Sequence, residues 1–368
     1  MFIAKCVPTD SLGDGFAAID PNSKTAQTKS DFIKSLAQSD SHRRLRALFE
    51  RKFTPASLIS DYNGPPLSCA RFKANPDFNR YRDVVCIDQS AVQLSSDQYI
   101  HANWVHGYKD FNSYILTQGR KIALHSRLLL SGPLEGTTAH FWQLVWETCS
   151  PTIVMLTKIV ENGTPKCHQY WPSNSAHSRK PVSNQMRRDT LGQLVMQAPP
   201  FEIRLLDEQF VDQGLYAMCD LEISNRSEPD VAPLRCKHYL YLGWPDFDVP
   251  KEAGNFLLFL GAVNSSHQEV SSRMKLQTAA GTCPPFLKQP PKIVHCSAGI
   301  GRTGTYVAID VNCALVKDCG QVDVVGSLQR LRRQRAATVQ VDKQFAFVHQ
   351  ALRYFIDQNS VDLDSTPQ

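Results

Sequence analysis

The residues Val294-His-Cys-Ser-Ala-Gly-Ile-Gly-Arg-Thr-Gly-Thr305 decide the fold of this chain. They follow a short apolar strand, Lys292-Ile-Val294, and lead into a stretch with a helical pattern from Thr305 to Lys317. In a strand, loop and helix of this kind, successive backbone N–H groups and the positive end of the helix dipole point at one spot. We therefore predict that the loop Cys296–Arg302, named the cradle loop below, binds a phosphate dianion.

Two side chains of the cradle loop carry the expected chemistry. Cys296 lies at its start, where the same field favours the thiolate over the thiol, and Arg302 can bind two phosphate oxygens at once. Of the eleven cysteines, Cys296 alone has an arginine six residues later. A bare Cys-x5-Arg pattern is weak evidence, and the alternative is a buried strand cysteine. Gly299 and Gly301 add support because they permit tight curvature and close approach of phosphate.

From His295 to Gly304, the string resembles the signature of the classical cysteine-dependent protein tyrosine phosphatases at every position. The resemblance continues in the family's order from about residue 60 to residue 356. It implies an α/β (α+β) fold with a central, highly twisted mixed β-sheet flanked by helices. Val84-Val-Cys-Ile-Asp-Gln89 is most similar to the non-receptor subgroup that elsewhere carries an N-terminal CRAL-TRIO lipid-binding domain, for which we expect no room here.

The segment Trp244-Pro-Asp-Phe-Asp-Val-Pro250 resembles the family's mobile acid loop. The resemblance implies that Asp246 protonates the leaving tyrosyl oxygen and then acts as the base toward the hydrolytic water. Trp244 would support this loop. Asp248 stands where the family usually has glycine and would add a like charge near Asp246. Taken alone, Asp246 would be an aspartate in a proline-flanked surface turn.

The segment Asn79-Arg-Tyr-Arg-Asp-Val84 resembles the family's phosphotyrosine-recognition loop. Tyr81 would stack on the substrate ring, Asp83 would bind the substrate backbone, and Arg82 lies beside them. A deep cleft with an aromatic wall admits phosphotyrosine and leaves phosphoserine too short to reach the phosphate site. That depth distinguishes this family from the dual-specificity phosphatases. Taken alone, Tyr81 would be a half-buried core tyrosine.

Further residues complete the site that the resemblance implies. Gln340, with Gln344 as a second candidate, would position the hydrolytic water, Glu161 would pair with Arg302, and the Thr303 hydroxyl would ease departure of the Cys296 thiolate. Taken alone, either glutamine would be a solvated polar residue, Glu161 would form a surface ion pair, and Thr303 would cap the N-terminus of a helix. The remaining candidates are cradle and supporting residues: Ser297, Ala298, Gly299, Ile300, Gly301, His295 and Lys166.

Composition limits the alternatives. Hydrophobic residues make up 42% and charged residues 20%, which is typical of a globular protein, and the net charge of +5 gives no support for nucleic-acid binding. No apolar run is long enough to span a membrane, and the first residues lack the apolar core of a signal peptide. The cysteines show neither paired metal-ligand spacing nor a disulfide framework. We expect a cytoplasmic protein without cofactor or metal.

The chain divides into a partly helical leader (1–55), a catalytic domain (56–357) and a flexible tail (358–368). Within the domain, a Ser-, Gln-, Gly- and Pro-rich stretch predicts a loop over 265–291 after a helix around Phe256 to Val263. Residues 120–131 form an insertion, because in the family Thr117-Gln-Gly119 continues directly into Pro-Leu. Its leucines and isoleucine would pack locally, contact a partner, or reflect an alternative transcript or gene-model error.

Three functions are compatible with this sequence. The first is hydrolysis of phosphotyrosine in signalling proteins through a cysteinyl-phosphate intermediate. The second, motivated by the insertion and Asp248, is an impaired phosphatase that binds phosphotyrosine without turnover. The third is a dual-specificity or phosphoinositide phosphatase, which the recognition loop and the acid loop disfavour.

Overall fold

The computed structural model describes residues 23–54, 66–119, 135–174, 186–245, 248–278 and 290–364. The insertion predicted at 120–131 and the predicted acid Asp246 lie outside the described residues.

Most strands of the described residues form one ten-stranded mixed sheet at the centre, and the others form two separate pairs. The strands are β1 (Gln27–Thr28), β2 (Ala91–Gln93), β3 (Tyr99–Val105), β4 (Tyr114–Thr117), β5 (Thr152–Met155), β6 (Val160–Glu161), β7 (Thr164–Pro165), β8 (Met186–Arg188), β9 (Leu194–Ala198), β10 (Phe201–Val211), β11 (Tyr216–Asn225), β12 (Leu234–Tyr241), β13 (Lys292–His295) and β14 (Gln321–Val322). The sheet order is β2-β3-β4-β13-β5-β12-β11-β10-β9-β8, while β1 pairs with β14 and β6 with β7.

The helices are α1 (Lys29–Leu36), α2 (Ser41–Lys52), α3 (Ala70–Ala74), α4 (Glu135–Glu147), α5 (Ala253–Thr278), α6 (Gly301–Cys319), α7 (Val324–Gln334) and α8 (Asp342–Asp364). Successive residues of the central strands enter different cores, because side chains alternate across a sheet. Ile293 belongs to the core that includes Trp142 of α4, whereas Val294 belongs to the core built with α5 to α8. The predicted mixed sheet flanked by helices is confirmed.

Strand β13 positions the cradle loop. It is parallel to β4 on one side and to β5 on the other, and all four of its residues are buried. Parallel strands buried on both faces have nearly continuous apolar sequences, as Ile293 and Val294 illustrate. The chain leaves β13 at Cys296, and α6 begins at Gly301, so the cradle loop lies between the strand end and the helix start.

Two predicted boundaries are wrong. Helix α5 continues to Thr278, so the loop predicted from residue 265 is helical over 265–278. His267 explains the extension, since its Nδ1 lies 3.0 Å from Thr152 Oγ1 and fixes the second half of α5 on the sheet. Helix α8 runs to Asp364, past the predicted start of the tail at 358, and Asn359 and Ser360 bond carbonyls one turn earlier.

The N-terminal leader packs on the rest of the molecule over its described residues. Phe32 of α1 and Phe53, just after α2, are buried in the same core as α8, and Thr28 of β1 pairs with Gln321 of β14. No described helix is both long and apolar enough to cross a membrane.

Buried histidines predict a stability that depends on pH. Burial lowers the pKa of His101 and His267 to about 3, of His106 and His349 to about 4, and of His238 well below its usual value. The folded chain keeps these rings neutral, while in the unfolded chain each binds a proton below about pH 6.5. The contribution of these rings to the free energy of unfolding should therefore be fully present above about pH 6.5 and should be lost progressively as the pH drops toward 4.

His101→Asn tests this prediction at one ring. The variant should lose less stability than the wild type between pH 7 and pH 5, by about 2 kcal/mol, because one titrating group is gone. Urea unfolding at several pH values measures the difference, and the same change at the exposed His42 is the control. Parallel pH profiles for the wild type and His101→Asn would contradict the prediction.

Candidate active site

The cradle loop curves around the Cys296 sulfur. Cys296 is buried, and the Gly299 N–H donates to its Sγ at 3.3 Å. Hydrogen bonds fix both neighbouring strand ends to the loop: Gly119 N–H donates to Ser297 O at 2.9 Å, and Leu156 N–H donates to His295 O at 2.9 Å. The sulfur therefore lies in a rigid ring of backbone groups at the end of β13.

Glycine is required at position 299. Gly299 has φ +69°, in the left-handed region that favours glycine, and a Cβ there would collide with the Thr117 carbonyl. The close contact with Thr117 places the turn of the cradle loop directly against the end of β4.

A buried arginine supports the cradle loop from behind. Arg335 donates to Gly299 O at 3.1 Å and to Ala298 O at 3.0 Å. Its other contacts are Asn103 Oδ1 at 2.8 Å and His101 Nδ1 at 3.0 Å. Burial lowers the pKa of Arg335, whose ordinary value is so high that the guanidinium stays charged. Sequence reasoning missed Arg335, since no motif marks it and its partners lie in two distant segments, β3 and the cradle loop.

The predicted partner of the cradle arginine is in place. Arg302 binds Glu161 through two hydrogen bonds, of 2.6 Å to Oε1 and 3.0 Å to Oε2, and also donates to Leu156 O at 3.1 Å. Glu161 in turn accepts from the Thr157 hydroxyl and the Lys158 N–H. With 14% and 3% of their side chains exposed, Arg302 and Glu161 do not form the surface ion pair of the alternative.

The recognition loop forms one side of the site. Tyr81 OH and Ser297 Oγ share a hydrogen bond of 2.7 Å, and Ser297 Oγ donates to the Lys166 carbonyl at 3.2 Å. Tyr81 is half-buried, whereas Arg82 and Asp83 beside it are exposed. The structure thus brings Tyr81, Ser297 and Lys166 together next to the sulfur and leaves the two charged residues at the rim.

The acid loop is fixed on both sides of Asp246. Trp244 is buried against Phe256 and Phe347, and its Nε1–H donates to Asp248 O at 2.8 Å. Its ring centre also lies 5.8 Å from the Arg302 guanidinium carbon. The Asp248 carboxylate is 3.4 Å from Lys343 Nζ, so the charge in the family's glycine position has a cationic neighbour on α8.

The two glutamines lie beside the cradle loop. Gln340 N–H donates to Gln344 Oε1 at 2.9 Å. A Cβ on Gly301 would be 2.9 Å from Gln344 Nε2 and 3.4 Å from Gln340 Oε1, so both amides line the start of α6. Thr303 lies within the first turn of α6 and is fully buried, with no hydrogen-bond partner for its hydroxyl among the described residues.

A buried chain of hydrogen bonds continues below Cys296. His295 Nδ1 lies 3.2 Å from Cys296 O, and His295 Nε2 lies 2.7 Å from Tyr170 OH, which is 2.9 Å from His238 Nε2. His295 was predicted as a supporting residue, but Tyr170 and His238 were missed. Because both of its ring nitrogens have a hydrogen-bond partner, His295 is held in one orientation beside the cradle loop.

Comparisons with known proteins agree with this geometry. The protein-tyrosine phosphatase family model matches residues 75–354. Over 299 residues, the chain is 33% identical to tyrosine-protein phosphatase non-receptor type 9 of Homo sapiens, which covers 80% of this chain and 44% of that protein. It is also 33% identical to the Lar-like tyrosine-protein phosphatase of Caenorhabditis elegans (79% and 11% covered) and 31% identical to receptor-type tyrosine-protein phosphatase F of Homo sapiens (77% and 12% covered).

The chain spans less than half the length of these relatives. The family model nevertheless covers the strand, cradle loop and helix together with the recognition, acid and glutamine loops. The chain therefore belongs to the protein-tyrosine phosphatase family.

Proposed function

We propose that this chain hydrolyses phosphotyrosine in proteins through a cysteinyl-phosphate intermediate. The observation that supports the proposal most is the geometry of the cradle loop, in which the Gly299 N–H lies 3.3 Å from the Cys296 sulfur and Glu161 holds the Arg302 side chain by two hydrogen bonds. A nucleophile and two kinds of anion donor in one short loop are what phosphoryl transfer requires.

In the first half-reaction, the Cys296 thiolate attacks phosphorus while the bond from phosphorus to the tyrosyl oxygen breaks. The leaving oxygen takes a proton from Asp246. Arg302 and the backbone N–H groups of Ser297 to Arg302 bind the phosphoryl oxygens and stabilise the charge of the transition state. Tyr81 forms the wall against which the substrate ring stacks, and Arg82 and Asp83 contact the substrate chain at the rim.

In the second half-reaction, a water molecule attacks phosphorus and the bond to the Cys296 sulfur breaks. Asp246, now ionised, takes the proton of that water, and Gln340 orients the water, with Gln344 supporting its backbone. The Thr303 hydroxyl donates to the departing thiolate. The hydroxyl caps no backbone group of the described residues, which supports this role over the helix-cap alternative.

The substrates that we propose are phosphotyrosine proteins of the cytoplasm, without participation of metal or nucleic acid. The proposed domain limits are 56–357, and the described residues of the leader, 23–54, pack on this domain. The insertion 120–131, a candidate partner contact, lies outside the described residues. The impaired phosphatase and the dual-specificity or phosphoinositide phosphatase are the competing functions.

Phosphate release by the full chain separates these functions. A phosphotyrosine peptide should be hydrolysed, while a matched phosphoserine peptide and an inositol phospholipid should not. Release that appears only after deletion of residues 120–131 would favour the impaired phosphatase and make the insertion the cause. Equal release from phosphoserine or inositol lipid would overturn the tyrosine-specific site.

Asp246→Asn should lower kcat/KM, which reports the first half-reaction alone, by about 10³-fold with a poor leaving group, because the amide has no acidic proton to donate. The loss should shrink as the leaving group becomes more acidic, since such a group departs without protonation. Aryl phosphates of graded phenol acidity measure the trend, and Asp248→Asn is the matched control. An equal loss for every leaving group would contradict the role of Asp246 as the acid.

A further inference from the structure

A second cavity, of about 700 Å³, lies outside the proposed active site. It is open to solvent on one side and lined by residues of α1, α2, β1, the end of β14, the start of α7 and His349 of α8. Its apolar lining includes Leu36, Leu45, Leu48 and Val325, which are only partly buried in the surrounding core. A cavity of this volume is within the usual range of about 300 to 1,000 Å³ for small-ligand sites.

The charged side chains that line this cavity are cationic. Lys24, Arg44 and Arg51 are exposed and Lys52 is half-buried, and among the described residues that line the cavity none is acidic. Lys24, Arg44 and Arg51 form no ion pair with any described residue. Three positive charges without an ion pair among the described residues, beside an apolar surface, favour a ligand that brings its own negative charge.

The acidic side chains of the surrounding elements are engaged elsewhere. On α2 and just before it, Glu50 pairs with Arg46 at 2.9 Å and Asp40 lies 3.7 Å from Arg43. Before α7, Asp323 is fully buried and accepts hydrogen bonds from Ser23, Thr25 and the Gly326 N–H. On α1, Asp31 accepts a hydrogen bond from Thr28, and at the start of α8 Asp342 lies 3.7 Å from Arg46.

We infer that this cavity binds a small anionic amphiphile, a carboxylate carried on a linear hydrocarbon chain. The hydrocarbon would cover Leu36, Leu45, Leu48 and Val325, which favours binding because it removes their apolar surface from water. The carboxylate would lie near Arg44, Arg51 and Lys24, where charge-assisted hydrogen bonds are available. Each half of the ligand thus matches one half of the lining.

The site is coupled to the glutamine loop through Arg332. Arg332 Nη1 donates to Phe53 O, just after α2, at 2.8 Å, and its guanidinium stacks over Phe53 at 5.0 Å. The same side chain donates to Thr338 O at 2.8 Å and to Val339 O at 2.6 Å. A ligand that shifts α2 would therefore act on the residues that immediately precede Gln340.

Calorimetric titration of the full chain with laurate, below the concentration at which it forms micelles, tests the site. Laurate should bind, and dodecanol and dodecyltrimethylammonium should not, because they lack the negative charge. Arg44→Glu should weaken laurate binding by about tenfold. Arg43→Glu makes the same charge change at the adjacent residue, which does not line the cavity, and should leave binding as it is.

Equal binding of dodecanol, no binding of laurate, or equal weakening by Arg43→Glu and Arg44→Glu would each overturn the site. None of these readouts uses catalysis, so they stand apart from the proposed hydrolysis. The coupling is tested in the same samples by kcat at saturating phosphopeptide. Laurate should change kcat of the wild type by about fivefold, and Arg44→Glu should need about tenfold more laurate for the same change; identical kcat values with and without laurate in the wild type would overturn the coupling.

Discussion

Cys296→Ser should lose phosphotyrosine turnover by about 10⁵-fold or more, while phosphopeptide binding is retained. The cradle N–H groups and Arg302 bind the phosphate regardless of the atom at position 296, but a serine hydroxyl is a far weaker nucleophile in a site without an adjacent base for it. Because Cys296 is buried and the change is small, the fold should survive.

Two measurements check this result. Steady-state phosphate release gives the loss of turnover, and acid quenching of the wild type followed by peptide mass analysis should find the phosphoryl group on Cys296. Cys319→Ser, at an exposed cysteine at the end of α6, is the control and should keep full activity. Residual turnover in Cys296→Ser within tenfold of the wild type, or phosphate on another residue, would rule out the proposed nucleophile.

Arg302→Met should lower kcat/KM by about 10⁴-fold, because two hydrogen bonds to the phosphoryl oxygens disappear together with the charge that strengthens them. The same change should destabilise the chain by about 3 kcal/mol, since the Glu161 carboxylate, 3% exposed, remains buried without its cation. Lysine cannot replace the arginine fully, because a point charge lacks the planar pair of donors.

The double variant Arg302→Met with Glu161→Gln separates the two effects. Neutralising Glu161 should restore most of the lost stability, measured by urea unfolding, and should leave the activity as low as in the single variant. Arg273→Met, at an exposed residue of α5, is the control for both measurements. If the double variant regains activity together with stability, Arg302 supports the fold rather than binding phosphate.

The local parts of the site could be predicted from the sequence. The strand β13, the cradle loop and α6 are contiguous, so short-range patterning and one resemblance locate Cys296 and Arg302. Glu161 was also found, because the resemblance extends to the hairpin of β6 and β7. Tyr81 contacts Ser297, the residue after Cys296, and its role in recognising the substrate ring stays a prediction.

Other parts depend on contacts that patterning does not encode. Arg335 was missed because its role comes from bonds to two distant segments, to Asn103 on β3 and to Ala298 and Gly299 in the cradle loop. The length of α5 was misjudged because a run of polar residues resembles a loop, whereas the contact of His267 with Thr152 keeps it helical. Long-range hydrogen bonds of buried polar groups decided both cases.

The wide separation of the cradle contacts along the chain has a kinetic consequence. Gly299 packs against Thr117, Arg335 reaches Gly299 from 36 residues away, and Gly119 bonds Ser297. Contacts between distant segments form late during folding, because closing the loop between them costs conformational entropy before the contacts add stability. During refolding from urea, the helical circular dichroism signal should therefore recover before phosphatase activity. A newly made chain should likewise become active only after its sheet is assembled.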